Sequence, residues 1–223
     1  MIDLLRAIWQ ADSGFPSGSF AFSGGLEGFY AMTPAADAAA LASVLRDLLT
    51  YRWATGDRVA LAASHRAGDD LAGIAAADIA LDVATPIQPL RNGSRRNGMA
   101  LLAAHERLGT PPAAWLRAAC RDGTCLGHLA VMQGALFRAL GLDLPAAIAA
   151  SGYAAAAALV TASVRLGRVG AIEGQRALFG VLPLLAELAA NPPAPSAQPE
   201  GFVPFLDIAA ARQARATMRL FAT

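Results

Sequence analysis

Apolar residues recur along this chain at intervals of three and four positions, and turn-forming residues separate one such stretch from the next. The clearest stripe runs from Leu41 to Leu49, where leucines and a valine fall on one face of a helix. No stretch alternates apolar and polar residues as a strand would, and the helix formers alanine and leucine are abundant. The pattern predicts an all-α protein with a single helical-bundle-like domain of about eight to ten helices.

Glycines, prolines and capping residues indicate where the helices begin and end. Residues 2–11 are predicted to form a short helix, and Thr33-Pro34 to start a longer one with Thr33 as its N-cap. Gly56 is expected to interrupt that helix, and Asp57 to cap its successor. Further helices are predicted over residues 71–83, 91–108, 126–140, 145–164 and 173–190, and after Thr110-Pro111.

The sharpest change in composition follows Ala190. Residues 191–204 contain five prolines and few helix formers, which is typical of an extended linker. We therefore divide the chain into a helical core domain (1–190), a Pro-rich linker (191–204) and a C-terminal tail (205–223). The tail combines apolar residues with arginines, and two interpretations stay open. It is either a tethered partner-binding segment or a last helix packed on its own domain.

Residues 144–164 carry no charge over about the length of a membrane span. The stretch is mostly alanine, with few of the residues that drive insertion into lipid. A central helix that is buried on all sides is therefore the favoured interpretation. The N-terminus lacks the basic start and long apolar run of a signal peptide, so we expect a cytoplasmic protein.

The composition excludes several classes of function. All 18 basic residues are arginine, so a Schiff base on lysine and the lysine of a phosphate-binding P-loop are excluded. A formal net charge of +1 gives no field that would gather nucleic acid. Hydrophobic residues make up 55% of the chain and charged residues only 16%, which predicts an apolar surface covered by another subunit or a partner.

Residues that could bind a metal are few. Cys120, Cys125 and His128 are possible ligands, but they lack the CxxC pair of a structural zinc site. His128 is better explained as a core or capping histidine at the start of an apolar helix. His65 and His105 stand alone and are expected at the surface. We therefore assign no metal ligand, no catalytic residue and no cofactor.

Two charged features have alternative explanations. Arg91, Arg95 and Arg96 lie about one turn apart and form either a solvated face or a basic patch that docks an acidic partner. Glu27 stands among small and apolar residues. It is either an exposed carboxylate at a helix N-terminus, where the helix dipole favours it, or a buried acid paired with an arginine.

The most distinctive segment is ADSGFPSGSFAFSGGLEGFY, residues 11–30. Its glycines allow close backbone approach, and Phe15, Phe20 and Phe22 offer large anchors for a contact. Its four serines do not belong to a G-x-S-x-G motif. The segment is therefore predicted to form a contact surface.

This segment resembles the N-terminal signature of the UreF family of urease accessory proteins. The matching residues are Phe15, Pro16, Gly18, Phe20, Ser23, Gly25, Leu26 and Glu27. Three later stretches are similar to the family in the same order: Gly127-His128, the run from Arg165 to Arg176, and a C-terminal signature. The C-terminal signature comprises Leu206, Asp207, Ile208, Ala209, Arg212, Arg219, Leu220 and Phe221. The similarity covers nearly the whole chain.

The resemblance implies an all-helical, dimeric protein that is not an enzyme. Such proteins join a UreD/UreH-type protein and the GTPase UreG on apo-urease, and the complex couples GTP hydrolysis to nickel insertion into the urease active site. The resemblance assigns partner binding to the N-terminal matches and, in the tail, to Asp207, Arg212, Arg219, Leu220 and Phe221. It implies no resident cofactor, no nucleic acid and no membrane, and a nickel ion only in transit.

An alternative function comes from the residues alone. A helical enzyme or small-molecule-binding protein could have its site near Ser19–Glu27. Such a protein would melt at a higher temperature in the presence of its ligand. An adaptor would instead form stable complexes and catalyse nothing by itself.

Overall fold

The computed structural model describes residues 1–18, 22–216 and 220–221. Every regular element in this part of the chain is helical, which confirms the predicted all-α class. The helices are α1 (Ile2–Ala11), α2 (Leu26–Met32), α3 (Ala38–Leu48), α4 (Arg58–Ala67), α5 (Leu71–Ala84), α6 (Gln88–Arg107), α7 (Pro111–Arg121), α8 (Leu129–Ala139), α9 (Leu144–Arg165), α10 (Ala171–Ala190) and α11 (Pro204–Gln213). A π-helical segment, Leu49–Asp57, joins α3 to α4 without a break.

The apolar helix α9 lies at the centre of the fold. It packs against α1, α4, α8 and α10. By length and composition alone it could cross a membrane, but half of its most apolar part is buried inside the protein. Its alanines and its glycine allow neighbouring helices to approach closely, as expected of a central helix, but it is not buried on all sides as predicted, since Tyr153 is exposed.

Buried apolar residues form two clusters. The larger one contains residues of every helix from α3 through α10, among them Leu61, Met132 and Phe137. The smaller one joins α2 to α11 and consists of Leu26, Phe29, Tyr30, Leu48, Ala162, Val203, Leu206, Ala209 and Phe221. The tail therefore belongs to the smaller cluster, and no described residue after Ala189 belongs to the larger one.

The helix start predicted at Thr33-Pro34 is wrong. Thr33 instead ends α2, because its backbone N–H and its hydroxyl both donate to the carbonyl of Phe29, at 2.9 and 2.7 Å. The next helix begins at Ala38, where the Asp37 carboxylate accepts the N–H of Ala40 at 3.0 Å. The Thr33 hydroxyl is used by the preceding turn, so Asp37 supplies the N-cap.

The interruption predicted at Gly56 is wrong as well. The backbone stays helical through Gly56 as a π-helix, and the Asp57 side chain caps no helix. A Cβ atom on Gly56 would lie 2.9 Å from the carbonyl oxygen of Glu200. The glycine therefore allows the Pro-rich segment to approach, and the Glu200 N–H donates to the Thr55 carbonyl at 2.9 Å.

Further hydrogen bonds hold the Pro-rich segment along the helical core. The Arg58 guanidinium donates to the carbonyls of Leu188 and Asn191, at 2.9 and 3.2 Å. The Phe202 N–H donates to the Tyr51 carbonyl at 3.0 Å. These bonds lead into α11, which packs on α2. The tail helix thus lies on its own chain, and one of its faces stays exposed.

Candidate functional site

The N-terminal signature and the tail meet where α2 crosses α11. Gly25 is the N-cap of α2, and Leu26 is fully buried in the cluster that α2 shares with α11. A Cβ atom on Gly28 would lie 2.1 Å from the carbonyl oxygen of Ala209, far inside van der Waals contact. The absence of a side chain at Gly28 therefore lets the two backbones touch.

Glu27 connects this crossing to the end of the chain. It lies in the first turn of α2, where Ser23, which is fully buried, accepts its N–H at 3.4 Å. The Glu27 carboxylate accepts the backbone N–H groups of Leu220 and Phe221, at 2.7 and 3.2 Å. Among the described residues Glu27 makes no ion pair with an arginine. The expected position at a helix N-terminus is right, and its partner is the backbone of the tail.

The two tail residues whose backbone Glu27 binds have opposite environments. Phe221 is buried, and the guanidinium carbon of Arg165 lies 4.5 Å from its ring centroid, which is a cation–π distance. Leu220 is 74% exposed. Phe221 therefore anchors the tail to the protein, and Leu220 offers an apolar side chain to a partner.

Asp207 binds the π-helical segment from α11. Its carboxylate forms a hydrogen-bonded ion pair with Arg52, and both side chains are mostly buried. Burial raises the pKa of Asp207, and the charge of Arg52 only partly offsets this effect. Burial likewise lowers the pKa of Arg52. The pair is therefore a partly desolvated contact that fixes α11 relative to the core.

The first residues of the signature lie elsewhere. Phe15 is buried beside α1, with its ring centroid 5.2 Å from both the Trp9 ring and the His105 ring. Pro16 and Gly18 are exposed. The structure therefore separates the predicted site into an anchor at Phe15 and a junction between α2 and the tail.

The three charged residues predicted to bind a partner in the tail differ in what the structure shows of them. Asp207 faces the core, as described above, and Arg212 is exposed on α11 without an ion pair to any described residue. Arg219 lies outside the described residues, and so does Phe20 of the N-terminal signature. The outer face of α11 also exposes Ile208. A basic and apolar surface is thus open beside the junction.

His105 is buried, contrary to the expected surface position. Its Nδ1 lies 2.9 Å from the Thr110 hydroxyl and its Nε2 lies 3.2 Å from the Gln10 side-chain oxygen, while Phe15 packs on the ring. Burial lowers its pKa to about 4. His65 is also buried, with its Nε2 2.9 Å from the Leu142 carbonyl. The surface position predicted for both histidines is wrong, because Gln10 and Phe15, which enclose His105, and Leu142, which contacts His65, are distant in sequence.

The low pKa of His105 predicts a loss of stability in acid. The unfolded chain takes up a proton near pH 6.5, whereas the folded protein resists protonation until about pH 4. This contribution is full above pH 6.5 and is lost as the pH falls towards 4, by about 3 kcal/mol in total.

Urea unfolding of the wild type and of His105→Gln at about pH 7 and about pH 4.5 measures this effect. The free energy of unfolding should fall by about 2–3 kcal/mol more in the wild type than in the variant. Asp57, whose raised pKa acts in the opposite direction, is common to both proteins and cancels in the difference. Equal losses would contradict the buried, neutral histidine.

The Gly127-His128 segment is a structural junction. The Asp78 carboxylate accepts the backbone N–H groups of Leu126, Gly127 and His128, at 2.7, 2.7 and 3.0 Å. His128 is fully buried and is the N-cap of α8. Its ring nitrogens contact Ser94 and the carboxylate of Asp82. The expected core or capping role is confirmed, and the segment joins α5, α6 and α8.

The predicted basic patch is largely neutralised. Arg95 makes a hydrogen-bonded ion pair with Asp82, and the Arg91 Nε lies 3.8 Å from the same carboxylate. Burial raises the pKa of Asp82, but the hydrogen bonds from His128 and Arg95 outweigh it and lower the pKa overall. Only Arg96 of the three arginines is exposed. Neither predicted alternative describes all three arginines, because two of them pair with Asp82 and Arg96 alone is solvated.

The structure does not bring metal ligands together. Within the described residues, no three histidine, cysteine, aspartate or glutamate side chains form a group that could hold an ion. Burial raises the pKa of Cys120 to about 12 and that of Cys125 to about 11, which disfavours the thiolates that a metal needs. Cys120, Cys125 and His128 therefore do not form a group of metal ligands in the described structure.

A cavity lies beside the junction, and Phe22 and Gly24 of the segment Ser19–Glu27, where the alternative small-molecule site is predicted, line part of it. Its volume is about 290 Å³, and residues of the π-helical segment, α5, α6, α8, α9 and the tail line it. Asp57 is one of these lining residues. Burial raises its pKa to about 6, against the opposing charges of Arg52 and His128. Asp57 therefore lines a cavity and does not cap a helix, although a glycine followed by an aspartate at Gly56-Asp57 predicts a helix cap.

Comparisons with known proteins agree with the resemblance drawn from the motifs. The sequence model of the UreF family matches residues 35–182. The urease accessory protein UreF of Methylorubrum populi is 34% identical over 192 residues, which cover 85% of this chain and 84% of the relative. The protein of the same name from Trichodesmium erythraeum is 30% identical over 227 residues, which cover 98% of this chain and 96% of the relative. This second alignment extends beyond the family match into both the N-terminal signature and the tail.

Proposed function

Because this chain belongs to the UreF family, whose members are urease accessory proteins and not enzymes, we propose that it is an adaptor in urease maturation. It binds a UreD/UreH-type protein and a UreG-type GTPase in the cytoplasm and assembles with them on apo-urease. The complex couples GTP hydrolysis to nickel insertion. Nickel is the cargo of this complex, and the chain needs no resident metal of its own.

The observation that carries this proposal is the junction between Glu27 and the tail. Glu27 and the buried Phe221 hold Leu220 at the surface. Next to it, α11 exposes Phe205, Ile208 and Arg212. Apolar side chains beside an arginine are typical of the centre of a protein interface. We assign this surface to the UreD/UreH-type partner, and the residues Phe15, Pro16, Gly18, Phe20, Ser23, Gly25 and Leu26 to shaping and supporting it.

A second exposed surface supports the proposed homodimer. The outer face of α10 exposes Ile172 and Phe179, at 68% and 75%, and Leu182 beside them. An exposed apolar stripe along one helix can pair with the same stripe of a second copy about a two-fold axis. We propose that α10 meets α10 of a second copy.

Co-expression with the UreD/UreH-type and UreG-type proteins of the same organism, followed by size-exclusion chromatography with mass determination, tests the proposal. The isolated chain should have twice its mass of 22.9 kDa, and all three proteins should co-elute. If the chain recruits neither protein, the adaptor function is wrong.

Glu27→Ala tests the assigned surface in the same experiment. Loss of two charge-assisted hydrogen bonds should weaken the complex about tenfold or more without unfolding the core. Glu106→Ala is the matched control, because Glu106 pairs with Arg117 on α7, away from the junction. An undiminished complex with Glu27→Ala would remove Glu27 from the partner surface.

A further inference from the structure

The cavity beside the junction has mostly apolar walls. Leucines and alanines of α5, α6, α8 and α9 supply most of the apolar lining residues, together with Phe137. Its volume of about 290 Å³ lies at the small end of the range for sites that bind small organic molecules. Part of the wall is the π-helical segment, a rare conformation that occurs frequently at functional sites.

One charged group in the wall lacks a full partner. Asp57 lines the cavity, and its carboxylate accepts no hydrogen bond from any described residue. Arg52 is close enough to act on it electrostatically, but Arg52 forms its ion pair with Asp207. Two carboxylates thus share one guanidinium, and the three groups carry a net charge of −1 when ionised.

Two neutral polar groups in the wall also lack partners. Trp53 is 5% exposed, and its indole N–H finds no acceptor among the described residues. Asn97 is 8% exposed, and its side-chain oxygen finds no donor there. Both residues line the cavity. Buried polar groups are usually satisfied, so the Asn97 oxygen indicates a bound hydrogen-bond donor, whereas the Trp53 N–H is itself a donor and needs an acceptor such as water.

We propose that this cavity binds a small organic monocation, a primary ammonium group on a short apolar body. The ammonium donates to the Asp57 carboxylate and balances the excess negative charge, and the apolar body contacts the leucines and alanines. The described residues of the whole wall carry four carboxylates, Asp12, Asp57, Glu200 and Asp207, against the guanidinium groups of Arg52 and Arg165, so an anion would meet a net negative charge. A divalent metal would lack ligands, because the described residues form no group of three.

Calorimetric titration of the full-length protein near pH 7.5, where Asp57 is mostly ionised, tests this inference. The probe is n-butylammonium, and 1-butanol is the uncharged analogue of similar shape. Butylammonium should bind with a millimolar Kd, as expected of so small a ligand. Asp57→Asn should weaken that binding about tenfold and leave 1-butanol unaffected. Asp12→Asn, at an exposed residue of the cavity rim, is the matched control and should change neither.

Each other outcome overturns the inference. If butylammonium does not bind, the cavity holds water only. If 1-butanol binds as tightly, the site is apolar and the charge of Asp57 has no role. If Ni²⁺ binds more tightly than butylammonium and Asp57→Asn abolishes that binding, the cavity binds a metal ion and not an organic cation. Should Asp57→Asn fail to fold, Ala158→Leu fills the cavity instead and must abolish binding. The inference does not rest on the adaptor function, because the titration uses the isolated protein.

Discussion

Replacing Gly28 with alanine should release α11 from α2 and abolish the complex with the UreD/UreH-type protein. The new Cβ atom would lie 2.1 Å from the Ala209 carbonyl oxygen and 2.6 Å from its carbon. Both are backbone atoms, so no rotamer change can relieve the clash, and the helices must separate. We expect a loss of about 3 kcal/mol or more in the free energy of unfolding, above the usual cost of overpacking.

The tail should respond more strongly than the rest of the molecule. The cluster between α2 and α11 is separate from the larger core, so the far-ultraviolet circular dichroism should change little. Limited proteolysis should cut the variant in the Pro-rich segment, which α11 otherwise holds in place. Phe221 would leave its site under Arg165, and the partner surface would be lost with it.

Gly180→Ala is the matched control for Gly28→Ala. Gly180 is also a helical glycine, but a Cβ atom there would meet nothing within 4 Å. Alanine is favoured over glycine within a helix by up to about 1 kcal/mol, so this variant should be as stable as the wild type or slightly more stable. If Gly28→Ala is as stable and as protease-resistant as Gly180→Ala, the tail does not dock on α2 in solution.

The contacts of Gly28 show which features of the fold could be predicted from the sequence and which could not. Signals between neighbours along the chain identified most helices, and the core role of His128 was anticipated from its place at a helix start. The partners of Gly28 and Glu27 lie near residues 209 and 220, and no local pattern reports such contacts. The resemblance to a family located both halves of the junction, but only the fold brings them together.

Three of the wrong predictions, unlike the helix start at Thr33-Pro34, share one physical cause. Gly56 resembles a helix break, yet the chain stays helical and uses the missing side chain to admit the segment around Glu200. His105 has no obvious partner in the sequence, yet Gln10 and Phe15 enclose it from the other end of the chain. Asp57 resembles a helix cap in the sequence, yet it lines a cavity that the π-helical segment shares with α5, α6, α8, α9 and the tail. Tertiary contacts decided each case.

Asp78→Ala should be the most destabilising polar substitution in the larger core. Asp78 is fully buried, and its carboxylate accepts three backbone N–H groups, from Leu126, Gly127 and His128. Alanine would leave these donors without an acceptor, and those of Gly127 and His128 are buried. Unsatisfied buried donors and the loss of a charge-assisted network should together cost about 3–5 kcal/mol.

Urea unfolding with Asp70→Ala as the matched control measures this effect. Asp70 is an exposed aspartate that caps α5 through a single backbone N–H, that of Ala72 at 3.0 Å. Losing such a cap should cost about 1 kcal/mol. Asp78→Asn should fall between the two, because its amide keeps one acceptor oxygen but turns an NH₂ group towards a backbone N–H. If Asp78→Ala costs no more than Asp70→Ala, the Gly127-His128 turn is held by packing alone. If Asp78→Ala costs more than Asp70→Ala, a carboxylate on α5 fixes the position where α8 begins. It then also positions the α8 residues that line the cavity.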